Sequence, residues 1–310
     1  MNKPMRFLVI LSIILLSGVL INATQNTSEI KVEKTEVTNV QSDKNTSELY
    51  EIKALKIPEG INFAGEIVPL EKPDIKERLD RELLVNTYWQ SNGLLMLKRA
   101  NKYFPIIEPI LAEYGIPDDF KYLAVIESGL QNVRSGAGAS GFWQIMKTTG
   151  RENKLEVNDN VDERYHLEKA TKVACKYLQK AKDRLGSWTL AAAAYNAGNY
   201  GVSKRLKTQR VNSYYDALLP DETERYVFRI VAVKEIMTNA DKYGFVFDDT
   251  DLYNLEPTTT VEVDTVITNI AAFAQEFGTN YKTLKIHNPW LRENKLNNAS
   301  HKKYYIKLPQ

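Results

Sequence analysis

The sequence predicts a mainly α-helical protein that ends in a small module of mixed helix and strand. Apolar residues recur at intervals of three and four between residues 74 and 243, which is the spacing of one helix face. No run of alternating apolar and polar residues, the pattern of a half-buried strand, interrupts this region. Such alternation appears at residues 259–263 and 304–308, on either side of two short helical segments. We therefore expect a large helical part followed by a small α+β module.

Length and composition are those of a globular protein with one sizeable core and a small appendage. The 310 residues are 43% hydrophobic and 26% charged, with a net charge of +2. This balance gives no argument for nucleic-acid binding. The single cysteine, Cys175, excludes an internal disulfide and lies in a helical pattern that predicts burial. Because His166, His287 and His301 are scattered without the spacing of metal ligands, we expect no metal and no cofactor.

The N-terminal residues 1–23 have the pattern of a signal peptide. Lys3 and Arg6 precede an apolar run, and Ala23 offers a small residue for cleavage. An uncleaved N-terminal membrane anchor is the alternative, although the run is short for a spanning helix. Residues 24–47 are polar and lack apolar periodicity, and a flexible linker is predicted over residues 24–60. The mixed stretch 49–73, which contains three prolines, is expected to be irregular. Both alternatives predict that the rest of the chain is exported.

Glycine, proline and serine residues mark the ends of the helices predicted between residues 61 and 250. Ser-Asn-Gly at 91–93 and Tyr-Phe-Pro at 103–105 predict two breaks. Gly186 is expected to end one helix and Ser187 to cap the next. The helices expected on this basis are 74–89, 94–102, 105–114, 117–128, 167–185, 188–197 and 221–243.

The helix that begins at Pro117 carries a carboxylate on its apolar side. Phe120, Leu123, Ala124 and Glu127 fall at i, i+3, i+4 and i+7, and a glycine two residues later is placed to end the helix. Desolvation there would raise the pKa of Glu127, and a carboxyl group kept protonated near neutral pH can act as a general acid. The same pattern fits a glutamate at the rim of the core whose carboxylate reaches solvent.

Two later segments contain small and polar residues of the kind that surround a ligand. The small residues of 135–141 allow the backbone to approach a ligand closely, and Trp143 and Gln144 offer a stacking face and an amide. A helix from residue 188 runs into the pair Tyr195-Asn196 and a glycine. Each residue also has a purely structural explanation, such as a core aromatic, a loop amide or a helix C-cap.

In this order and at these spacings, the motifs resemble the lytic transglycosylases with a goose-lysozyme-like catalytic domain. The motifs are Glu-Ser at 127–128, Gly-Phe-Trp-Gln-Ile-Met at 141–146 and Ala-Tyr-Asn-Ala-Gly at 194–198. The resemblance extends to Tyr-Phe-Pro at 103–105, Val-Asp-Glu-Arg at 161–164 and Glu-Thr-Glu-Arg-Tyr-Val at 222–227. Phe-Trp at 142–143 is a departure, because Leu-Met is commoner there.

The resemblance implies a lysozyme-like helical domain over residues 61–250 that acts on peptidoglycan glycan strands in the periplasm or cell envelope. Glu127 would be the single catalytic acid/base, with Ser128 in a supporting hydrogen-bond role. The residues implied in substrate binding are Ser128, Ser135, Gln144, Tyr195, Asn196 and Tyr226.

The resemblance also implies the reaction. Ordinary glycosidases use two carboxylates, but here no second one carries a signal comparable to Glu127, and salt bridges explain Asp162 and Glu163 equally well. The implied reaction cleaves the β-1,4 bond between N-acetylmuramic acid and N-acetylglucosamine and forms 1,6-anhydro-N-acetylmuramic acid. A hydrolytic muramidase and a non-catalytic peptidoglycan-binding scaffold are the alternatives, and an intact Glu127 speaks against the scaffold.

Residues 258–310 resemble a LysM module, which binds N-acetylglucosamine chains. The expected order is a strand at 259–263, helices at 267–277 and 280–287, and a strand at 304–308. The usual Gly-Asp-Thr-Leu entry is replaced by Val-Asp-Thr-Val at 263–266, so the module is degenerate. A small capping subdomain is the alternative interpretation.

Overall fold

The structure is a computed structural model that describes residues 52–310. The signal-peptide or anchor prediction and most of the predicted linker fall on residues 1–51 and lie outside the described residues. Residues 53–310 form one unit. Within the described range, no helix combines the length and apolar character that crossing a membrane requires.

The larger part of the described chain is helical, as the sequence predicts, and it contains eight α-helices. They follow a short antiparallel hairpin formed by β1 (Asn62–Phe63) and β2 (Glu66–Ile67), within a stretch expected to be irregular. The helices are α1 (Pro73–Tyr88), α2 (Gln90–Glu113), α3 (Lys121–Ser128), α4 (Lys147–Glu152), α5 (Leu167–Leu185), α6 (Trp188–Ala197), α7 (Asn199–Gln209) and α8 (Asp221–Thr238).

Helix α2 corrects the predicted breaks, because residues 90–113 form one helix of 24 residues. Gly93 lies inside it because the helix packs against Phe245: a Cβ atom at Gly93 would come within 2.5 Å of the Phe245 ring. Pro105 and Pro109 also lie within the helix. The buried residues Ala100, Ile107, Ile110 and Leu111 continue on both sides of Pro105, so core packing outweighs the lost backbone hydrogen bond.

The central helices end where the sequence predicts. Helix α5 spans the predicted residues 167–185, and Gly186 adopts φ +88° to end it. The Ser187 hydroxyl accepts a hydrogen bond from the backbone N–H of Leu190 at 3.1 Å and caps α6. Helix α8 ends at Thr238, earlier than predicted, and residues 240–243 form a 3₁₀ turn.

The C-terminal module has the predicted order of elements. It consists of β3 (Thr258–Val263), α9 (Ile270–Glu276), α10 (Tyr281–His287) and β4 (Tyr304–Pro309), with β3 and β4 antiparallel. The buried Asn288 side chain joins α10 to β4, since its amide nitrogen donates to the Lys307 carbonyl at 2.6 Å and its oxygen accepts from the Lys307 N–H at 2.8 Å.

We predict that Gly93→Ala lowers the free energy of unfolding by about 1–3 kcal/mol, the usual cost of overpacking a core. The added methyl group would overlap the Phe245 ring. Urea unfolding followed by circular dichroism measures the change.

The matched control is Gly201→Ala in α7, where the nearest atom to the added Cβ is 3.8 Å away. Alanine there should stabilise the helix by up to about 1 kcal/mol. Equal effects of the two substitutions would contradict the packing explanation for Gly93.

Candidate active site

Helix α3 places Glu127 at the edge of the core. The chain enters α3 through a 3₁₀ turn at Asp118–Phe120, and Gly129 ends the helix with φ +59°. Leu123 and Ala124 are fully buried on the same face as Glu127. The periodicity seen in the sequence therefore places the carboxyl group of Glu127 beside apolar side chains, in the last turn of the helix.

The Glu127 carboxyl group is surrounded by groups from α8. The Tyr226 hydroxyl donates a hydrogen bond to Glu127 Oε1. Burial raises the pKa of Glu127 above its ordinary value, while the Tyr226 hydrogen bond and the Arg229 guanidinium lower this pKa and the Glu222 charge raises it. Burial dominates, so the protonated form of Glu127 is favoured relative to an exposed glutamate.

Sequence reasoning missed Arg229 and Glu222 as parts of this site. Glu222, Tyr226 and Arg229 occupy positions i, i+4 and i+7 of α8 and share one face. Arg229 Nη2 also donates to the carbonyl of Ile126 at 3.2 Å, which ties α8 to the turn of α3 that carries Glu127. The helical spacing from Tyr226 was the signal that could have identified both residues.

The loop between α3 and α4 is held by hydrogen bonds to its carbonyl groups from α3, from α6 and from within the loop itself. Ser128 Oγ lies 2.8 Å from the Phe142 carbonyl oxygen. The Tyr195 hydroxyl donates to the Trp143 carbonyl at 2.7 Å. Gln144 has φ +44°, and its Nε2 donates to the carbonyls of Gly141 at 2.8 Å and Val133 at 3.1 Å.

Trp143 does not provide the stacking face expected from the sequence. Its side chain is fully buried, and its indole N–H donates to Thr171 Oγ1 at 2.8 Å. The indole is a large apolar group with one polar N–H. It packs in the core beside α5, where the Thr171 hydroxyl accepts its hydrogen bond. Trp143 therefore anchors the loop to α5.

The structure brings Glu127, Gln144, Tyr195, Asn196 and Tyr226 into one region. Gln144, Tyr195 and Asn196 line a cavity of about 220 Å³. Burial first, and then the nearby Glu127 charge, raise the pKa values of Tyr195 and Tyr226. Both phenols therefore stay protonated and serve as hydrogen-bond donors.

Asn196 belongs to this region, whereas Ser135 lies outside it. Asn196 Oδ1 accepts from Thr223 Oγ1 at 2.7 Å, which links α6 to α8. Ser135 lies on the exposed part of the loop, where its Oγ accepts from the Ala139 N–H at 3.1 Å. The hydroxyl of Ser135 is therefore engaged within the loop and not with the Glu127 cluster.

Asp162 and Glu163 form the salt bridges that the sequence left as their alternative explanation. Asp162 pairs with Arg164 at 2.7 Å, and Glu163 pairs with Lys169 at 2.6 Å. Cys175 is buried, as predicted, and burial raises the pKa of its thiol to about 12.

Residues 105–217 match the family model described as the transglycosylase SLT domain. The chain carries an SLT domain. Residues 259–310 match the soluble lytic transglycosylase C-terminal LysM-like domain. Both matches confirm the resemblance drawn from the motifs. The SLT match includes Glu127 and the cavity residues, whereas Tyr226 lies beyond its end.

The chain is also similar to the membrane-bound lytic murein transglycosylase D of Escherichia coli strain K12. The two are 30% identical over 198 residues, which cover 61% of this chain and 43% of that protein. The protein of the same name from Escherichia coli O6:H1 matches to the same extent. The chain thus spans less than half the length of these relatives.

Two solved structures are similar to the chain at lower sequence identity. An inactive mutant of the lytic transglycosylase Slt from Pseudomonas aeruginosa is 22% identical, with a TM-score of 0.38, over 49% of this chain and 26% of that chain. The 70 kDa soluble lytic transglycosylase of Escherichia coli is 19% identical, with a TM-score of 0.40, over 57% of this chain and 33% of that chain.

We predict that Glu127→Gln stabilises the fold at neutral pH and that this gain fades in acid. Because the folded pKa of Glu127 is raised above its ordinary value of 4.5, the folded state favours the proton. The stability this provides is complete below the unfolded pKa and is lost as pH rises through the folded pKa. Glutamine does not ionise, so the variant does not lose this stability as pH rises.

Urea unfolding of both proteins from pH 4 to pH 8 measures this difference. Glu77→Gln, which removes an exposed carboxylate from α1, controls for the loss of one negative charge. A stability gain for Glu127→Gln that stays constant over the whole pH range would contradict the raised pKa.

Proposed function

We propose that the chain is a peptidoglycan lytic transglycosylase. It cleaves the β-1,4 bond between N-acetylmuramic acid and N-acetylglucosamine and forms 1,6-anhydro-N-acetylmuramic acid. The observation that carries this proposal is Glu127: a partly buried carboxyl group with a raised pKa, hydrogen-bonded by Tyr226, within an SLT domain. The relatives named as lytic murein transglycosylases support the same reaction class.

In the first step, protonated Glu127 acts as a general acid. Its proton passes to the glycosidic oxygen, the bond from that oxygen to C1 of N-acetylmuramic acid breaks, and N-acetylglucosamine leaves with a free 4-hydroxyl group. The Glu127 carboxylate that remains is stabilised by the Tyr226 hydroxyl and by the nearby Arg229 guanidinium. The acetamido group of the substrate stabilises the positive charge at C1.

In the second step, the Glu127 carboxylate acts as a general base. It takes the proton of the 6-hydroxyl group of the same sugar, and O6 forms a bond to C1, which closes the 1,6-anhydro ring. No water is consumed, and Glu127 returns to its protonated state. One carboxyl group therefore serves both proton transfers, which explains why no partner carboxylate is needed.

The surrounding side chains supply defined hydrogen-bonding atoms to the glycan. Gln144 uses Nε2 to bind two loop carbonyls, which leaves Oε1 to accept from a sugar hydroxyl. Asn196 uses Oδ1 to accept from Thr223, which leaves its Nδ2 to donate. Ser135 would contact the glycan from the exposed loop, whereas Ser128 supports the loop through the Phe142 carbonyl. Tyr195 would contact the glycan beside Glu127.

We predict that Glu127→Gln lowers turnover by about two to four orders of magnitude, the usual contribution of a general acid/base. Glutamine keeps the shape of the side chain but can neither give nor take the proton. Release of soluble products from purified sacculi measures turnover, and mass spectrometry identifies the product ends. Wild-type products should carry anhydro ends, which are lighter than reducing ends by one water molecule.

The matched control is Glu222→Gln, which removes the exposed carboxylate whose charge reaches Glu127. Turnover should stay within a few-fold of wild type. A muramidase that used Glu222 to activate water would lose activity in this variant and would leave reducing ends. Sacculus binding without any product release by the wild type would support the scaffold alternative.

We also propose that the protein is exported to the periplasm or cell envelope, either released or held by its N-terminal segment. The charged start and apolar run of residues 1–23 support export. The name of the E. coli relatives, membrane-bound murein transglycosylases, agrees with an envelope location.

We predict that cell fractionation finds the native protein outside the cytoplasm. Extraction with sodium carbonate separates an anchored form, which stays with membranes, from a released form. A chain lacking residues 1–23 should remain in the cytoplasm and serves as the control. Finding the full chain in the cytoplasm would reject export.

A further inference from the structure

The C-terminal module docks on the SLT domain through backbone pairing with one short segment. The Asp162 N–H donates to the Trp290 carbonyl at 2.9 Å, and the Arg292 N–H donates to the Asn160 carbonyl at 2.9 Å. Between them, Val161 pairs with Leu291 as an antiparallel bridge. Val161 is fully buried and belongs to the hydrophobic core of the module, so this core is incomplete without a residue of the SLT domain.

Side chains on both sides strengthen the same contact. Asn160 Nδ2 donates to the Lys295 carbonyl at 2.8 Å, and Asn160 Oδ1 accepts from the Asn297 N–H at 2.9 Å. Lys302 lies 2.6 Å from Glu156, and the Arg292 guanidinium lies 4.1 Å from the centre of the Tyr165 ring. The module is therefore fixed to residues 156–165 by backbone, amide, ionic and cation–π contacts.

The same segment holds the loop that carries Gln144. Asp162 binds Arg164 through both carboxylate oxygens, at 2.9 Å and 2.7 Å. With its guanidinium so fixed, Arg164 Nη1 donates to the carbonyls of Gly138 at 2.9 Å and Ile145 at 3.1 Å. The Arg164 side chain is 7% exposed, so these bonds are shielded from water.

The tip of the loop depends on this support, because the contacts of Ser128, Trp143 and Tyr195 hold only the part of the loop that follows it. Residues 135–139 are small and partly exposed, so they bury little apolar surface. The loop also packs directly on the Arg164 backbone: Gly141 has φ +81°, and a Cβ atom there would come within 2.1 Å of the Arg164 carbonyl oxygen. Without Arg164, two loop carbonyls would lose their charged donor.

We propose that the C-terminal module braces the catalytic loop through Arg164, which acts as a positioning residue. The module fixes residues 160–162, Asp162 fixes the Arg164 guanidinium, and Arg164 holds the loop that carries Gln144. This inference rests on the proposed function only for its enzymatic readout. In the capping interpretation of residues 258–310, the module would thus have a specific role, which is to support the catalytic loop.

The first test compares Arg164→Lys and Asp162→Asn in the full chain. Lysine keeps the positive charge but lacks the planar guanidinium group that binds two carbonyls and a carboxylate together. Asparagine keeps the shape of aspartate but removes its negative charge. Hydrogen exchange should accelerate at loop amides such as Ser140 and Ile145, which bond each other's carbonyls at 3.1 Å and 3.0 Å. The amides of α5 should remain protected.

The enzymatic readout separates positioning from a loss of stability. On a short soluble glycan well below the unfolding temperature, both variants should raise KM by about tenfold, because a displaced loop weakens contact with substrate. A variant that had only lost stability would show fewer active molecules at an unchanged KM. Lys303→Ala is the control, since it removes an exposed ion pair to Glu262 within the module and none to the docking segment or the loop, and its KM and loop exchange should match wild type.

A third variant, Val161→Asp, tests the role of the module itself. A charge in the module core should undock the module, while the side chains of Asp162 and Arg164 themselves stay unchanged. We expect the same faster loop exchange as in Arg164→Lys. Loop protection that persists after undocking, or in both Arg164→Lys and Asp162→Asn, would overturn the brace. Since hydrogen exchange needs no turnover, an inactive wild type would reject the proposed function without affecting this result.

Discussion

The hydrogen bond from Tyr226 to Glu127 joins the two helices on which the site depends. Glu127 occupies the last turn of α3, and both α3 and α8 bury apolar faces in the main core. A carboxyl group at such a position costs free energy unless it is protonated or hydrogen-bonded. Tyr226 meets this need with a ring that is 2% exposed and a hydroxyl that reaches the carboxyl group. Packing of α3 on α8 thus sets both the position of Glu127 and its preference for the proton.

Helix α6 connects the other parts of the site to this pair. Residues 191–194 are four alanines with no exposed surface, and their small side chains allow α5 and α8 to pack closely on either side. The next two residues carry polar groups: the Tyr195 hydroxyl binds the loop at Trp143, and Asn196 binds Thr223 on α8. The alanine run therefore allows α6 to lie in the core, and the polar pair joins α6 to the loop and to α8.

The sequence predicted those features that depend on local spacing. The helical face that carries Glu127, the left-handed glycine after α5 and the serine cap of α6 follow from residues within one or two turns. The errors arose where a distant contact decides the structure. Gly93 is a glycine because Phe245 packs against it, and its neighbours alone suggested a break.

Trp143 shows the same limit within the site itself. The residue types of the Gly-Phe-Trp-Gln motif predicted a functional loop, but they could not say which side chain faces the core. That is decided by Thr171 on α5, whose hydroxyl accepts the indole hydrogen bond. The positions of Glu222 and Arg229 were available from the helical period of α8, once Tyr226 was known to face Glu127.

The motif at residues 161–164 contacts both the C-terminal module and the loop of the SLT domain. It can do so because successive side chains of an extended segment point to opposite sides. Asp162 is extended, with φ −133° and ψ 94°. The Val161 side chain enters the core of the C-terminal module, while the Asp162 carboxylate binds Arg164 and, through it, the loop. A motif first noticed as part of the SLT domain thereby serves as the joint between that domain and the module. The ionic pair on its loop side is buried, with three hydrogen bonds from Arg164 to Asp162 and two to loop carbonyls. A buried pair held by this many hydrogen bonds favours one geometry of the joint.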